Sequence, residues 1–300
     1  MFYNLIVSGF LLFFAGCHGM SNSTLTQIRA NNTSPVVVGF KHSLPKRLRE
    51  SSGLCYTNGN LWTLNDAGNR NEIYKIDSAT GAILQTVVIE NFPNVDWEDI
   101  TADSLFIYIG DFGNNNGNRK DLKIIRINKI NLHNSKTKIT LKGEAINFKY
   151  SDQTNFFSTS KTNFDCESLI SINNFLYIFT KDGIDLRTRC YKIPDQPGSY
   201  TVSPISSFDT KGKITAAAYN IETKEIVLLG YMNKKKNSFI WFLNGYPSDD
   251  FFGGTTVKIT IGSEKDWQTE GIDYISPNRL FMSCESSTSQ VASLYFVQKN

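Results

Sequence analysis

Trp97-Glu98-Asp99-Ile100, followed after a short turn by Ile107-Tyr108-Ile109-Gly110-Asp111, decides the fold, because four other segments copy it. They begin Ser51-Ser52-Gly53-Leu54, Cys166-Glu167-Ser168-Leu169, Thr215-Ala216-Ala217-Ala218 and Thr269-Glu270-Gly271-Ile272. Each is followed by a turn and a second apolar run, at 61–64, 176–178, 226–229 and 280–282. The step from marker to aromatic is ten residues for Ser52–Trp62, Glu98–Tyr108 and Glu167–Tyr177, and eleven for Glu270–Phe281. A third β-like run follows in every unit, at 72–76, 122–127, 190–193, 239–243 and 293–297. Three units show a fourth, at 84–89, 145–150 and 256–261, and turns rich in Asn, Asp and Gly separate the runs.

Four antiparallel strands repeated every ~40–50 residues is the pattern of β-propeller blades. The reading is all-β, with five four-stranded blades. The markers stand at 52, 98, 167, 216 and 270, and the long step from 98 to 167 leaves room for either a loop at 151–165 or a degenerate sixth blade. The last unit reaches the C-terminus with three strands, and Pro35-Val36-Val37-Val38-Gly39-Phe40 is expected to supply its outer strand, closing the ring and covering an exposed edge.

Ahead of the propeller, 5–15 is an apolar run interrupted by Ser8 and Gly9, too short to span a bilayer and suited to an export signal. Phe14-Ala15-Gly16-Cys17 has the small residues before Cys of a lipobox, although Phe14 stands where Leu is usual and no Lys or Arg precedes the run. The expected organisation is a signal peptide over 1–16, a lipidated Cys17 and polar tether over 17–35, and the propeller over 36–300. The alternative is a plain secretory signal. The protein is then exported, to the bacterial periplasm or cell surface, and meets the membrane only through its lipid. Cys55, Cys166, Cys190 and Cys284 match no zinc spacing and read as small buried residues.

The chain has 300 residues, 31 Lys plus Arg against 28 Asp plus Glu, and a net charge of +3. That balance lacks the basic excess of a duplex nucleic-acid binder. Phe, Tyr and Trp number 21, 13 and 4, in keeping with β structure, whereas His numbers three. His18 abuts Cys17, and His42 and His133 lie outside the repeats, so a His triad or His-rich zinc site is not expected. No Gly-x-Ser-x-Gly or His-Glu-x-x-His occurs. The Lys234-Lys235-Lys236 run reads as a solvated turn.

Ring closure turns the innermost strands towards one axis, so Glu98, Glu167 and Glu270, at the starts of three of them, converge there. Asp66, Asp111 and Glu285 end second strands and are expected at the same mouth, flanked by Asp96, Asp99 and Asp165. Carboxylates so gathered repel one another and need cations. Oxygen ligands suit Ca²⁺ best, then Mg²⁺ or Mn²⁺; the opposite reading is that they cap strand ends without an ion. Asp66-Ala67-Gly68-Asn69 recurs as Asp111-Phe112-Gly113-Asn114, which reads as turn chemistry. Arg119, on a polar loop beside the mouth, is either a grip for an anionic substrate or a surface charge.

Ser51-Ser52-Gly53-Leu54 with Leu61-Trp62-Thr63-Leu64-Asn65-Asp66, Asp96-Trp97-Glu98-Asp99-Ile100 with Tyr108-Ile109-Gly110-Asp111-Phe112-Gly113-Asn114, and Thr269-Glu270-Gly271-Ile272-Asp273-Tyr274 resemble exported bacterial propellers of the SdiA-regulated and phytase-esterase-like families. More distantly they resemble gluconolactonase and strictosidine-synthase propellers. The resemblance covers about 36–300. Gluconolactonase-like enzymes hold a divalent ion at the channel mouth, and the resemblance implies Glu98, Glu167 and Glu270 as its ligands, helped by Asn65 or Asn114; Ser52 and Ala216 depart from the pattern. Three functions stay open: a metal-dependent hydrolase of a lactone, ester or phosphoester with Asp111 as base; a non-catalytic surface propeller binding a small molecule, glycan or protein; and a structural lipoprotein subunit. A monomer is expected.

Overall fold

A computed structural model describes residues 35–132, 135–232, 237–262 and 267–300. The export signal, Cys17, the tether to residue 34, His133 and the Lys234-Lys235-Lys236 run lie outside the described residues.

Five sheets stand in a ring, one per repeat. The first blade runs outward from the axis as Ser51–Thr57, Asn60–Asn65, Glu72–Ile76 and Ile83–Ile89. The second runs Trp97–Ala102, Phe106–Asp111, Lys123–Asn128 and Glu144–Tyr150. The third is Cys166–Ile172, Phe175–Thr180, Thr188–Pro194 and Pro204–Phe208. The fourth is Lys213–Asn220, Glu225–Tyr231, Ser238–Asn244 and Thr255–Gly262. The fifth is Thr269–Ser276, Arg279–Cys284 and Ser293–Lys299, completed by the N-terminal strand Val36–Ser43, which pairs antiparallel with Ser293–Lys299. The five inner strands contact one another in cyclic order, so the ring is closed.

The sequence builds strands of two kinds. Second strands are sandwiched between neighbouring blades, so both faces are covered and Phe175–Thr180 is buried from its second residue onward. Outer strands meet water on one face, and Glu144–Tyr150 alternates buried and exposed. Hairpin turns use residues that accept positive φ: Asn58-Gly59 (50° and 73°) and Asn173-Asn174 (51° and 64°). The core is correspondingly divided into five apolar clusters, one between each pair of adjacent blades.

The structure has five blades; the long second interval holds no sixth. Part of it is a strand, Lys138–Leu141, that leaves the second blade and pairs parallel with Ile83–Ile89 of the first. Likewise Gly198–Val202, within the third repeat, pairs parallel with Glu144–Tyr150 of the second. These exchanged strands cover outer edges, and nothing in the repeat pattern announces them. Cys55, Cys166, Cys190 and Cys284 are buried, as expected, and form no disulfide with one another.

Val36 and Val38 are buried in the cluster between the fourth and fifth blades, whereas Val37 is 36% exposed. Val36→Ala and Val38→Ala are each expected to destabilise the fold by about 1–3 kcal/mol, and Val37→Ala to remain within about 0.5 kcal/mol of the parent, as read from urea-unfolding midpoints.

Candidate functional site

The pairing of inner and second strands skips one residue at the same place in every blade, and the residues left out are Ser52, Glu98, Glu167, Thr215 and Glu270. A bulge re-aims its side chain out of the ladder, which is how a regular strand delivers a carboxylate to the axis. The fourth blade's counterpart of the markers is therefore Thr215, one residue before Ala216. The two hydroxyl residues join blades: Ser52 Oγ donates to the Glu98 carbonyl at 2.5 Å, and Thr215 Oγ1 to the Thr269 carbonyl at 2.7 Å.

A second tier comes from the ends of the second strands. The N–H groups of Asp66, Gly113, Lys181 and Glu285 bond to the carbonyls of Glu50, Asp96, Asp165 and Gln268, the residues just ahead of the inner-strand ladder. These four occupy one structural position. Asp111 is thus out of step with Asp66 and Glu285, and the two Asp-x-Gly-Asn segments are not structural equivalents. Gly68 sits at φ +75°, a turn conformation. Gly113 has no such φ; a Cβ there would strike the carboxylates of Glu98 and Asp96.

Two groups of three carboxylates result, each with oxygens within 4.8 Å of one another: Asp66, Asp96 and Glu98, and Glu98, Asp165 and Glu167. Asp66 and Asp96 are half-buried, while Glu98, Asp165 and Glu167 are buried. Lys181 forms an ion pair with Glu167 inside this cluster. It is the functional residue that sequence reading missed, although it stands where Asp66 and Glu285 stand in their blades. Asp165 accepts the Asn114 N–H at 2.7 Å. Glu270 and Glu285 influence each other, and Gln268 donates to Glu285 at 3.0 Å.

Asp111 and Arg119 are not in either group. Arg119 folds back, its Nη2 on Asp111 at 2.9 Å, its Nε on Asp121 at 3.1 Å and its Nη1 on the Gly113 carbonyl at 2.8 Å. Lys123 approaches the other Asp111 oxygen at 3.4 Å. The pair therefore holds the turn that carries Gly113. Asn65 donates to the Arg47 carbonyl and Asn114 to that of Phe164, so both amides brace loops. Cys17 lies outside the described residues.

Burial, then repulsion from Asp66 and Asp165, pushes Asp96 up to about 7. Burial and the charges of Glu270 and Asp66 push Glu285 up to about 9. Glu98 is raised well above the ordinary range by burial, Glu167, Asp66 and Asp96, and Glu167 by burial against the pull of Lys181. Lys181 itself is raised: burial opposes its charge, but Glu167 and Asp165 more than compensate. The carboxylates of the mouth outnumber the Lys181 and Lys213 ammonium groups that act on them, and the remaining demand is met by protons or a cation.

No family model matches the chain, and no curated protein matches it. Among solved structures, an exo-β-1,3-galactanase from Phanerochaete chrysosporium with β-1,3-galactotriose is similar at 8% identity and TM-score 0.51, over 87% of this chain and 63% of that one. A putative oxidoreductase (glucose dehydrogenase) from Thermus thermophilus is similar at 8% identity and TM-score 0.45, over 87% and 99%. A chain of a mitotic checkpoint complex is similar at 15% identity and TM-score 0.39, over 82% and 61%. The chain spans about three fifths of the length of the checkpoint and galactanase chains. The galactanase similarity agrees with the propeller fold and goes no further.

Two predictions test the electrostatics. Because the folded pKa values of Asp96 and Glu285 lie above their unfolded ones, their stabilising contribution is fully present at acid pH and is lost as pH rises through about 7 and about 9. In chelator, the Tm is expected to fall between pH 5 and pH 9. Lys181→Met leaves Glu167 buried without its partner and is expected to cost about 3–5 kcal/mol at pH 8, with a smaller loss at pH 5, where the carboxylates are protonated; paired denaturation curves at the two pH values check this.

Proposed function

We propose that the protein is an exported, lipid-anchored propeller that holds a divalent cation at its carboxylate mouth and hydrolyses a small lactone, ester or phosphoester there. The observation that carries the reading is the Asp66–Asp96–Glu98 group: three carboxylates within ligand distance of one another, partly open to solvent, with the nearby amine of Lys181 committed to Glu167. The donor set is all oxygen and strongly anionic, which fits Ca²⁺. The resemblance of the Trp97–Asp111 and Thr269–Tyr274 segments to phytase-esterase-like and gluconolactonase-like propellers supports the same assignment.

Asp66, Asp96 and Glu98 are the ligands in this reading. Glu167 is held by Lys181, and Glu270 lies outside both carboxylate groups, so these two shape the field around the ion. A divalent ion so held supplies the charge that polarises a carbonyl or phosphoryl oxygen. Glu285, pushed up to about 9 by burial and by Glu270 and Asp66, is in this reading the acid that returns a proton to a leaving oxygen. Asp111, bound by Arg119 and Lys123, positions the Gly113 turn instead of serving as base. Gly113, having no Cβ, lets the Asp96 and Glu98 carboxylates lie against its backbone.

The test is elemental analysis of the purified protein, then calcium addition after chelation, then a lactone, ester and phosphoester panel. Calcium is expected to raise the Tm of the parent and to do so far less in Glu98→Gln and Asp96→Asn, and turnover is expected to vanish with chelator. If no divalent ion co-purifies or rebinds, the mouth is not a metal site. If an ion binds and no panel member is turned over, the hydrolase reading fails and an ion-stabilised binding propeller replaces it. For the anchor, Cys17→Ala is expected to lose incorporation of labelled lipid; continued labelling overturns that assignment.

A further inference from the structure

At the far end of the channel from the carboxylate mouth, the inner strands run out at Thr57, Ala102, Ile172, Asn220 and Ser276, and all five blades contribute to a cavity of about 600 Å³. That volume lies within the range of small-molecule sites. Asp273 lies deepest along its strand, Tyr56 and Tyr219 also line the wall, and the exposed Leu105 and Ile221 and the Asn173-Asn174 turn are at the opening. Among the described residues, no Lys or Arg lines the cavity. The basic groups nearest the wall are engaged within it. Lys129 Nζ donates to Thr57 Oγ1 at 2.8 Å and to the Asp103 carbonyl at 2.6 Å, and Arg126 bonds the Asp195 carbonyl, Gln196 and Glu144.

Asp273 is fixed in place. Its Oδ2 accepts the Tyr56 N–H at 2.5 Å and its Oδ1 the Tyr274 N–H at 2.8 Å, so each oxygen keeps lone-pair capacity. The other acids lining the cavity are accounted for differently. Asp103 accepts two N–H groups and the Tyr108 hydroxyl, Asp195 accepts from Gln196, and Glu222 is out in solvent. Asp273 is the acid that lies deep, is oriented by the backbone, and has no cation facing it from the cavity lining.

We propose that this cavity, which Tyr56 and Tyr219 also line, binds a small amine, its ammonium group held by the Asp273 carboxylate. A deep carboxylate without a counter-charge favours a cation over a neutral or anionic guest, and tyrosine rings add cation–π attraction to an ammonium group. The absence of basic lining residues removes the means of holding a phosphate or carboxylate. Burial pushes Asp273 up to about 7, so an ammonium group also gains by stabilising the ionised form. The site is separate from the metal mouth and does not depend on it.

Calorimetric titration of the full chain, in chelator and again in calcium, tests the proposal with putrescine, glucosamine and glucose. Glucosamine and glucose share a frame and differ in the ammonium group. Putrescine and glucosamine are expected to bind at least about tenfold more tightly than glucose. Asp273→Asn is expected to weaken amine binding by about tenfold or more and Tyr219→Leu by about threefold or more, while Glu98→Gln, at the opposite mouth, leaves amine binding unchanged. If Asp273→Asn fails to fold, the glucosamine–glucose comparison and Tyr219→Leu decide. No amine binding up to about 10 mM, equal binding of glucose and glucosamine, or loss of amine binding in Glu98→Gln overturns the proposal.

Discussion

The inner edge of each blade imposes the constraint on which the rest depends. The innermost strand pairs with its neighbour on one side only, and its other edge faces the channel, where no further strand can satisfy its N–H and C=O groups. Side chains do so instead, and they reach across to the next blade. Ser52 joins the first blade to the second, Asp99 accepts the Leu169 N–H at 2.8 Å to join the second to the third, Thr215 joins the fourth to the fifth, and Asp273 joins the fifth back to the first. Asp99 is also influenced by the Ala217 N–H of the fourth blade. The ring is thus stitched at its centre by short polar side chains, while apolar wedges between the blades supply the bulk of the packing.

Those stitches set the character of the channel. Backbone N–H groups are best met by carboxylates, so the lining becomes acidic, and burial makes every such charge costly. At one end the bulged Glu98 and Glu167 add to this field, and the fold supplies Lys181 as a built-in counter-charge. At the other end the wall draws Lys129 and Arg126 away from the lumen, and Asp273 is left facing an open cavity. Two ends of one channel therefore present different chemistry: a half-open group of three carboxylates, and an acid in a pocket that tyrosines also line.

Much of the architecture was legible because blades repeat. The second strands announced themselves as continuous apolar runs, since both faces are buried, and the closing strand could be inferred from an outer edge that would otherwise be bare. Glu98, Glu167 and Glu270 were legible as the charged members of one repeat position. Register was harder. Ala216 and Thr215 differ by one residue, and Asp111 pairs with Trp97 where in the first blade Asn65, one residue before Asp66, pairs with Ser51; a slip of one reverses the side-chain direction. That slip is why Asp111 belongs with Arg119 and Lys123 and not with the Asp66–Asp96–Glu98 group. The exchanged strands Lys138–Leu141 and Gly198–Val202 had no signal, because parallel pairing with another repeat leaves no periodic trace.

The sequence by itself determined the blade repeat, the order of the blades and which residues are capable of reaching the axis, because these follow from apolar runs and turn residues close together in the chain, whereas the tertiary structure decided that the long second interval holds no sixth blade. Only the tertiary structure decided which of the carboxylates share a site, because Asp66, Asp96 and Glu98 come from two blades and meet through ring closure. The same is true of the Lys181–Glu167 pair and of the Asp273 cavity. Their charges act on one another over a few ångströms of buried space, and sequence separation carries no measure of that distance.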